Sequence, residues 1–69
     1  MRLSARNQLV GTVAAIEVGA VMTVVKVDLP GGQQITSSVT KEAVEDLGLA
    51  VGSPVIAVIK STEVLLAVD

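Results

Sequence analysis

The stretch Val21-Met22-Thr23-Val24-Val25-Lys26-Val27-Asp28-Leu29-Pro30-Gly31-Gly32 decides the fold. Extended, it puts Val21, Thr23, Val25, Val27 and Leu29 on one face. Met22, Val24, Lys26 and Asp28 take the other. Strict alternation with this density of β-branched residues predicts a strand. Pro30-Gly31-Gly32 is a turn signal, and Gln33 to Val39 reads as a second, more polar strand. The two form a predicted hairpin.

Toward the N-terminus, Leu9 to Glu17 is again rich in β-branched residues and predicts a strand that Gly19 breaks. Toward the C-terminus the pattern changes. Thr40-Lys41-Glu42-Ala43 has the character of a helix N-cap and acidic first turn. Ala43, Val44 and Leu47 make a short helical stripe, and Gly48 suits a C-terminal cap. Val55 to Ile59 predicts a fourth strand, Ser61-Thr62-Glu63 a turn, and Val64 to Val68 a fifth strand. This order predicts an all-β fold, a small five-stranded OB-like barrel with one short helix, as a single domain over residues 1–69.

Composition predicts that the barrel does not stand alone. Apolar residues make up 51% of the 69, yet Phe, Tyr, Trp, Cys and His are all absent. Large aromatic side chains, disulfides and His/Cys metal sites, the usual supports of a small domain, are therefore missing. Two strands are also apolar on both faces: Met22 and Val24 lie opposite Val21 and Val25, and Val55 to Ile59 has no polar position. A lone small barrel keeps one wet face, so a homo-oligomer is expected.

The same composition excludes several function classes. Without His or Cys, most general-base and covalent mechanisms lack their players, and no enzyme is expected. Of the seven carboxylates, Glu42, Glu45 and Asp46 cluster on the short helix as a solvated face, so no metal-cation site is expected. Gly31-Gly32 lacks the lysine and hydroxyl spacing of a phosphate-binding loop. A net charge of −2 and the lack of aromatics argue against a nucleic-acid partner. Apolar runs are too short for a membrane helix, and the polar opening Arg2 to Gln8 is no signal peptide, which predicts a cytoplasmic location.

Hydroxyls and isolated cations at element ends remain: Ser4 and Arg6 before the first strand, Thr40 at the helix start, and Lys60 and Ser61 after the fourth strand. Donors of this kind suit a dianion that has no proton to give, and a helix start adds free N–H groups. Taken singly, Arg6 and Lys60 also read as ordinary solvated charges, Thr40 as a plain N-cap and Ser61 as a turn residue.

Ser4-Ala5-Arg6-Asn7-Gln8-Leu9 followed by Gly11-Thr12-Val13 resembles the opening of the molbindins. Ile59-Lys60-Ser61-Thr62-Glu63-Val64 resembles the closing motif of that family, and Ile35-Thr36-Ser37, Val39-Thr40, Leu47-Gly48-Leu49 and Gly52 match its layout. The resemblance spans the whole chain. It implies the OB-like barrel, assembled as a hexamer arranged as a trimer of dimers. It also implies molybdate or tungstate bound between subunits, with storage or buffering as the function and no other cofactor. The ligand contacts it implies are Ser4, Arg6, Thr40, Lys60 and Ser61, with the backbone at Ala5 as a further donor. Ala43 stands where some relatives place a hydroxyl, which would remove one contact. A barrel of the same kind that has lost its ligand, serving as a structural or interaction module, is the alternative.

Overall fold

The computed structural model describes residues 1–69. β1 (Asn7–Val18) is followed by β2 (Met22–Asp28), β3 (Gln34–Thr40), the helix α1 (Lys41–Leu47), β4 (Pro54–Ile59) and a single 3-10 turn over Ser61–Glu63. All four strands belong to one antiparallel sheet in the order β3-β2-β1-β4. The sheet curls into half a barrel whose hollow face carries the core.

The alternation read from the sequence fixes that hollow face. Thr23, Val25 and Val27 of β2 are buried, and Val13 of β1 packs with the two valines. Ile16, Val39, Val44, Leu49 and Val55 close around them. α1 lies across one end of the half-barrel. Thr40 caps it by accepting a hydrogen bond from the Ala43 N–H at 3.0 Å. Gly48, at φ 63°, ends it. The amides of Gly48 and Leu49 donate to Glu45 and Val44 in a Schellman arrangement, which brings Leu49 and Val44 onto the core together.

β1 is the spine of the sheet. Its first half pairs with β4 from Asn7↔Ile59 to Thr12↔Pro54, and its second half pairs with β2 from Thr12↔Asp28 to Val18↔Thr23. A bulge between Val13 and Ala15 lets one strand serve both partners. Gly11 is buried at the crossing, where β1 runs hard against the end of β2.

The chain forms four strands, not the five expected from its sequence. Val64 to Val68 has the residues of a strand but no ladder, because a strand needs an edge to pair with and the 3-10 turn at Ser61–Glu63 sends the tail away from both. Leu65 and Leu66 are 92% exposed and Val68 97%. Only five of 69 residues are buried. The outer face of the β1–β4 pair also shows apolar side chains to solvent, with Val10 opposite Ile56 and Val58 beside them.

Candidate functional site

The β1–β4 register assembles one end of the sheet. Asn7 and Ile59 are the last ladder partners there, so the chain leaves the sheet as Arg6 on one side and Lys60 on the other. Ser4 and Ala5 precede the first, and Ser61 follows the second. Two hydrogen bonds hold the opening in place: Asn7 Nδ2 donates to the Ile59 carbonyl at 3.3 Å, and Gln8 Nε2 donates to the Ala5 carbonyl at 3.2 Å. Neither bond engages the expected ligand groups. Ser4, Arg6, Lys60 and Ser61 are exposed, and their side chains make no hydrogen bond within the chain. Two cations and two hydroxyls therefore stand together at one end with their donors uncommitted. The Ala5 residue is half-buried among them.

Thr40 is not with them. It pairs with Met22 at the far end of β2, beside the C-terminal end of β1. β1 has twelve residues, and at ~3.3 Å per residue its two ends lie tens of ångströms apart along the strand. The structure thus divides the six expected contacts into a group of five, Ser4, Ala5, Arg6, Lys60 and Ser61, and a separate Thr40. No single oxyanion spans both within one chain.

The start of α1 has less to offer than its sequence suggested. The Lys41 N–H already donates to the Val21 carbonyl at 2.8 Å, and the Ala43 N–H to Thr40. Glu42 sits in the first turn, where a carboxylate opposes an anion. Thr40 keeps its hydroxyl proton, since as a cap it only accepts. Ala43 is half-buried beside the cap.

The acidic residues Glu42, Glu45 and Asp46 are exposed, and no group of three or more metal-ligating side chains converges. The cavity between β3 and β4, about 380 Å³, is walled by Val25, Val27, Ile35, Val39, Val55 and Ile59 and by no charged group. A dianion placed there would lose its hydration for a few hydroxyls. No helix is long and apolar enough to cross a membrane.

Sequence reasoning overlooked Asn7, which read as one more polar residue of the opening. Its signal lies in position alone: an amide at the first residue of a strand, where the last carbonyl of the neighbour is within its reach.

Comparison with known proteins agrees with this architecture. The TOBE domain profile matches residues 3–66. The chain is 45% identical over 69 residues to a probable molybdenum-pterin-binding protein of Haemophilus influenzae, covering 100% of both chains. Its fold superimposes on MopII from Clostridium pasteurianum with a TM-score of 0.92 at 40% identity, covering 97% of this chain and 100% of that one. It also matches the cytoplasmic molybdate-binding protein ModG in a form with molybdate bound, at 59% identity and a TM-score of 0.86. That match covers 88% of this chain and 43% of ModG. Half-barrel, capped helix and these likenesses lead to one assignment: the chain belongs to the TOBE domain family, among its molbindin, or Mop-type, members.

Proposed function

We propose that the protein binds molybdate reversibly, as a cytoplasmic store or buffer, at sites between copies of itself. The carrying observation is the cluster of uncommitted donors at the β1–β4 end, Ser4, Arg6, Lys60 and Ser61. A guanidinium fork and an ammonium supply charge, while the hydroxyls and the Ala5 N–H supply short neutral hydrogen bonds. Such a set matches a tetrahedral dianion, which only accepts. ModG, similar over most of this chain, is a molybdate-binding protein.

Thr40 joins the site from a second copy. Its hydroxyl is a free donor too distant to serve the cluster of its own chain, so an ion held by both groups lies at a subunit boundary. The exposed apolar strand faces point the same way, and the assembly we propose is a hexamer, a trimer of dimers. Tungstate, of the same charge and shape, fills the same sites. Binding involves no bond making and no turnover.

Relatives are named for a molybdenum pterin, but the ion itself is the better ligand here. The chain has no aromatic side chain on which a pterin ring could stack. Titration calorimetry of the metal-free protein with molybdate tests the reading, and native mass spectrometry of the same sample gives subunit and ion counts. Saturable heat and ion-laden oligomers are expected. A protein that assembled but took up no molybdate would instead be an interaction module.

A further inference from the structure

Thr40 is both the last residue of β3 and the cap of α1. Whatever surface its hydroxyl reaches, the first turn of the helix reaches with it. That turn carries Glu42, two residues on, and Cα atoms at this spacing are about 5–6 Å apart. Glu45 and Asp46 follow three and four residues after Glu42, so the carboxylates share one helix face. Together with Val21, Thr40 and Lys41 they line an open recess beside the cap.

Within one chain this face is short of positive charge. The last turn of α1 holds no basic residue. Lys41, the one cation on the recess, donates no side-chain hydrogen bond to any of the carboxylates. Arg6 and Lys60 show the reverse shortage, since no carboxylate accepts from either. Glu63, three residues after Lys60, is exposed and makes no side-chain hydrogen bond. The sheet keeps the two unmatched sets apart, because Thr40 and the Asn7–Ile59 end lie toward opposite ends of β1.

Assembly brings them together. An oxyanion held between the Arg6 and Lys60 of one copy and the Thr40 of another must also meet the Glu42 of that second copy. We propose that Glu42 is the resident counter-anion of this site. Without molybdate its carboxylate pairs with Arg6 and Lys60 of a second copy, and molybdate binds by displacing it. The empty site is thereby spared two facing cations with nothing between them. Binding exchanges one set of charge-assisted hydrogen bonds for another. The displaced carboxylate stays close and repels the dianion, which holds the affinity below what the donors alone would give and favours release. The inference rests on the reading that molybdate binds between copies, with Thr40 supplied across the boundary.

Titration calorimetry with molybdate, and thermal melts in low-salt buffer with and without saturating molybdate, test it on the parent, Glu42→Gln, Asp46→Asn and Glu63→Gln. A unit charge acting on a dianion at about 8 Å across a partly solvated boundary changes affinity roughly three- to tenfold. Glu42→Gln should therefore bind molybdate more tightly by that factor. Its empty form should melt a few degrees below the empty parent, while its loaded form melts no lower than the loaded parent. Asp46→Asn, a turn farther from Thr40, should change affinity less. Unchanged or weaker binding by Glu42→Gln would overturn the proposal. So would an equal fall in melting temperature with and without molybdate, which is what a lost helix-end interaction alone produces. A larger gain in Glu63→Gln than in Glu42→Gln would place the counter-anion on the cluster's own chain and overturn it as well. A double-mutant cycle of Glu42→Gln with Arg6→Ala in molybdate-free protein keeps this inference separate from the ligand assignment. The sheet separates the two residues within a chain, so coupling between them reports contact between copies. If the parent takes up no molybdate, the ligand assignment falls and the cycle alone decides: coupling supports the pair, and additive effects overturn it.

Discussion

Asn7 donates from Nδ2 to the Ile59 carbonyl across 3.3 Å and so ties the first residue of β1 to the last residue of β4. Arg6 and Lys60 are the next residues outward on each side. The position of the two cations relative to each other therefore depends on a neutral amide that touches no ion. A single half-buried hydrogen bond contributes about 0.5–1.5 kcal/mol. Asn7→Ala should weaken molybdate binding roughly two- to tenfold, with no change in charge and with the oligomer intact. Titration calorimetry alongside size-exclusion chromatography reads both quantities, and an unaltered affinity would remove Asn7 from the positioning of the site.

Arg6 itself should matter more. Charge-assisted hydrogen bonds contribute about 1.5–3 kcal/mol each, so Arg6→Ala should lower molybdate affinity roughly ten- to a hundredfold. Assembly should survive, because Arg6 is exposed and makes no side-chain hydrogen bond within the chain. Lys60→Ala should act in the same direction and more mildly, an ammonium being a mobile point charge. Calorimetry on both variants, with light scattering, separates lost ligand contact from lost assembly. Parent-like affinity in Arg6→Ala would show the site to be elsewhere.

Selectivity is open to a thermal test. Any ligand of the native state raises its melting temperature, by an amount that grows with the logarithm of its concentration relative to its Kd. Molybdate and tungstate should both do so, and sulfate, smaller at the same charge and shape, should do much less. Equal shifts from all three would describe a general anion patch rather than a fitted site.

Thr23 offers a test of the core that is independent of any ligand. It is completely buried, and its hydroxyl has no hydrogen-bond partner. Because burial is complete within one chain, no second copy reaches it either. An unsatisfied buried hydroxyl costs about 1–3 kcal/mol. Thr23→Val keeps the shape, removes the orphaned group and should raise the melting temperature by several degrees. A lower melting temperature would mean that the hydroxyl has a partner after all.

Gly11 should be the least tolerant of the strand positions. A Cβ there would stand 2.6 Å from the Asp28 carbonyl oxygen and 2.7 Å from Val27 Cγ1. Backbone cannot yield as a flexible side chain does, so Gly11→Ala should cost about 1–3 kcal/mol. Thermal melts would record it as a fall of several degrees or more.

Most of this architecture was legible because β-branched alternation is a local signal. Thr23, Val25 and Val27 point inward as their spacing requires, and Thr40 and Gly48 bound the helix through side-chain and backbone chemistry that each carries itself. The misreading of Val64 to Val68 has the same origin. Local pattern says that a segment suits a strand; it does not say which edge, on which chain, will accept it. The candidate site divides in the same way. Arg6 and Lys60 are 54 residues apart in sequence, and only the β1–β4 register makes them neighbours. Thr40 lies between them in sequence yet goes to the opposite end of the sheet, which no spacing rule could have told.

The bulge in β1 changes which side chains face inward. Before it, alternate odd residues point to the core, as Gly11 and Val13 do; after it, Ile16 does, opposite the buried Val25. The inward residues Val13 and Ile16 are thus three apart, and the two alanines between them act as a spacer of fixed count. Their chemistry matters little, but their number matters a great deal. Removing either one would leave a regular ladder in which Ile16 still meets Val25, but it would erase the bulge and with it the bend by which β1 serves both partners. Here the chain tolerates a change of letter far better than a change of length, and in that narrow sense this pair of alanines works as punctuation.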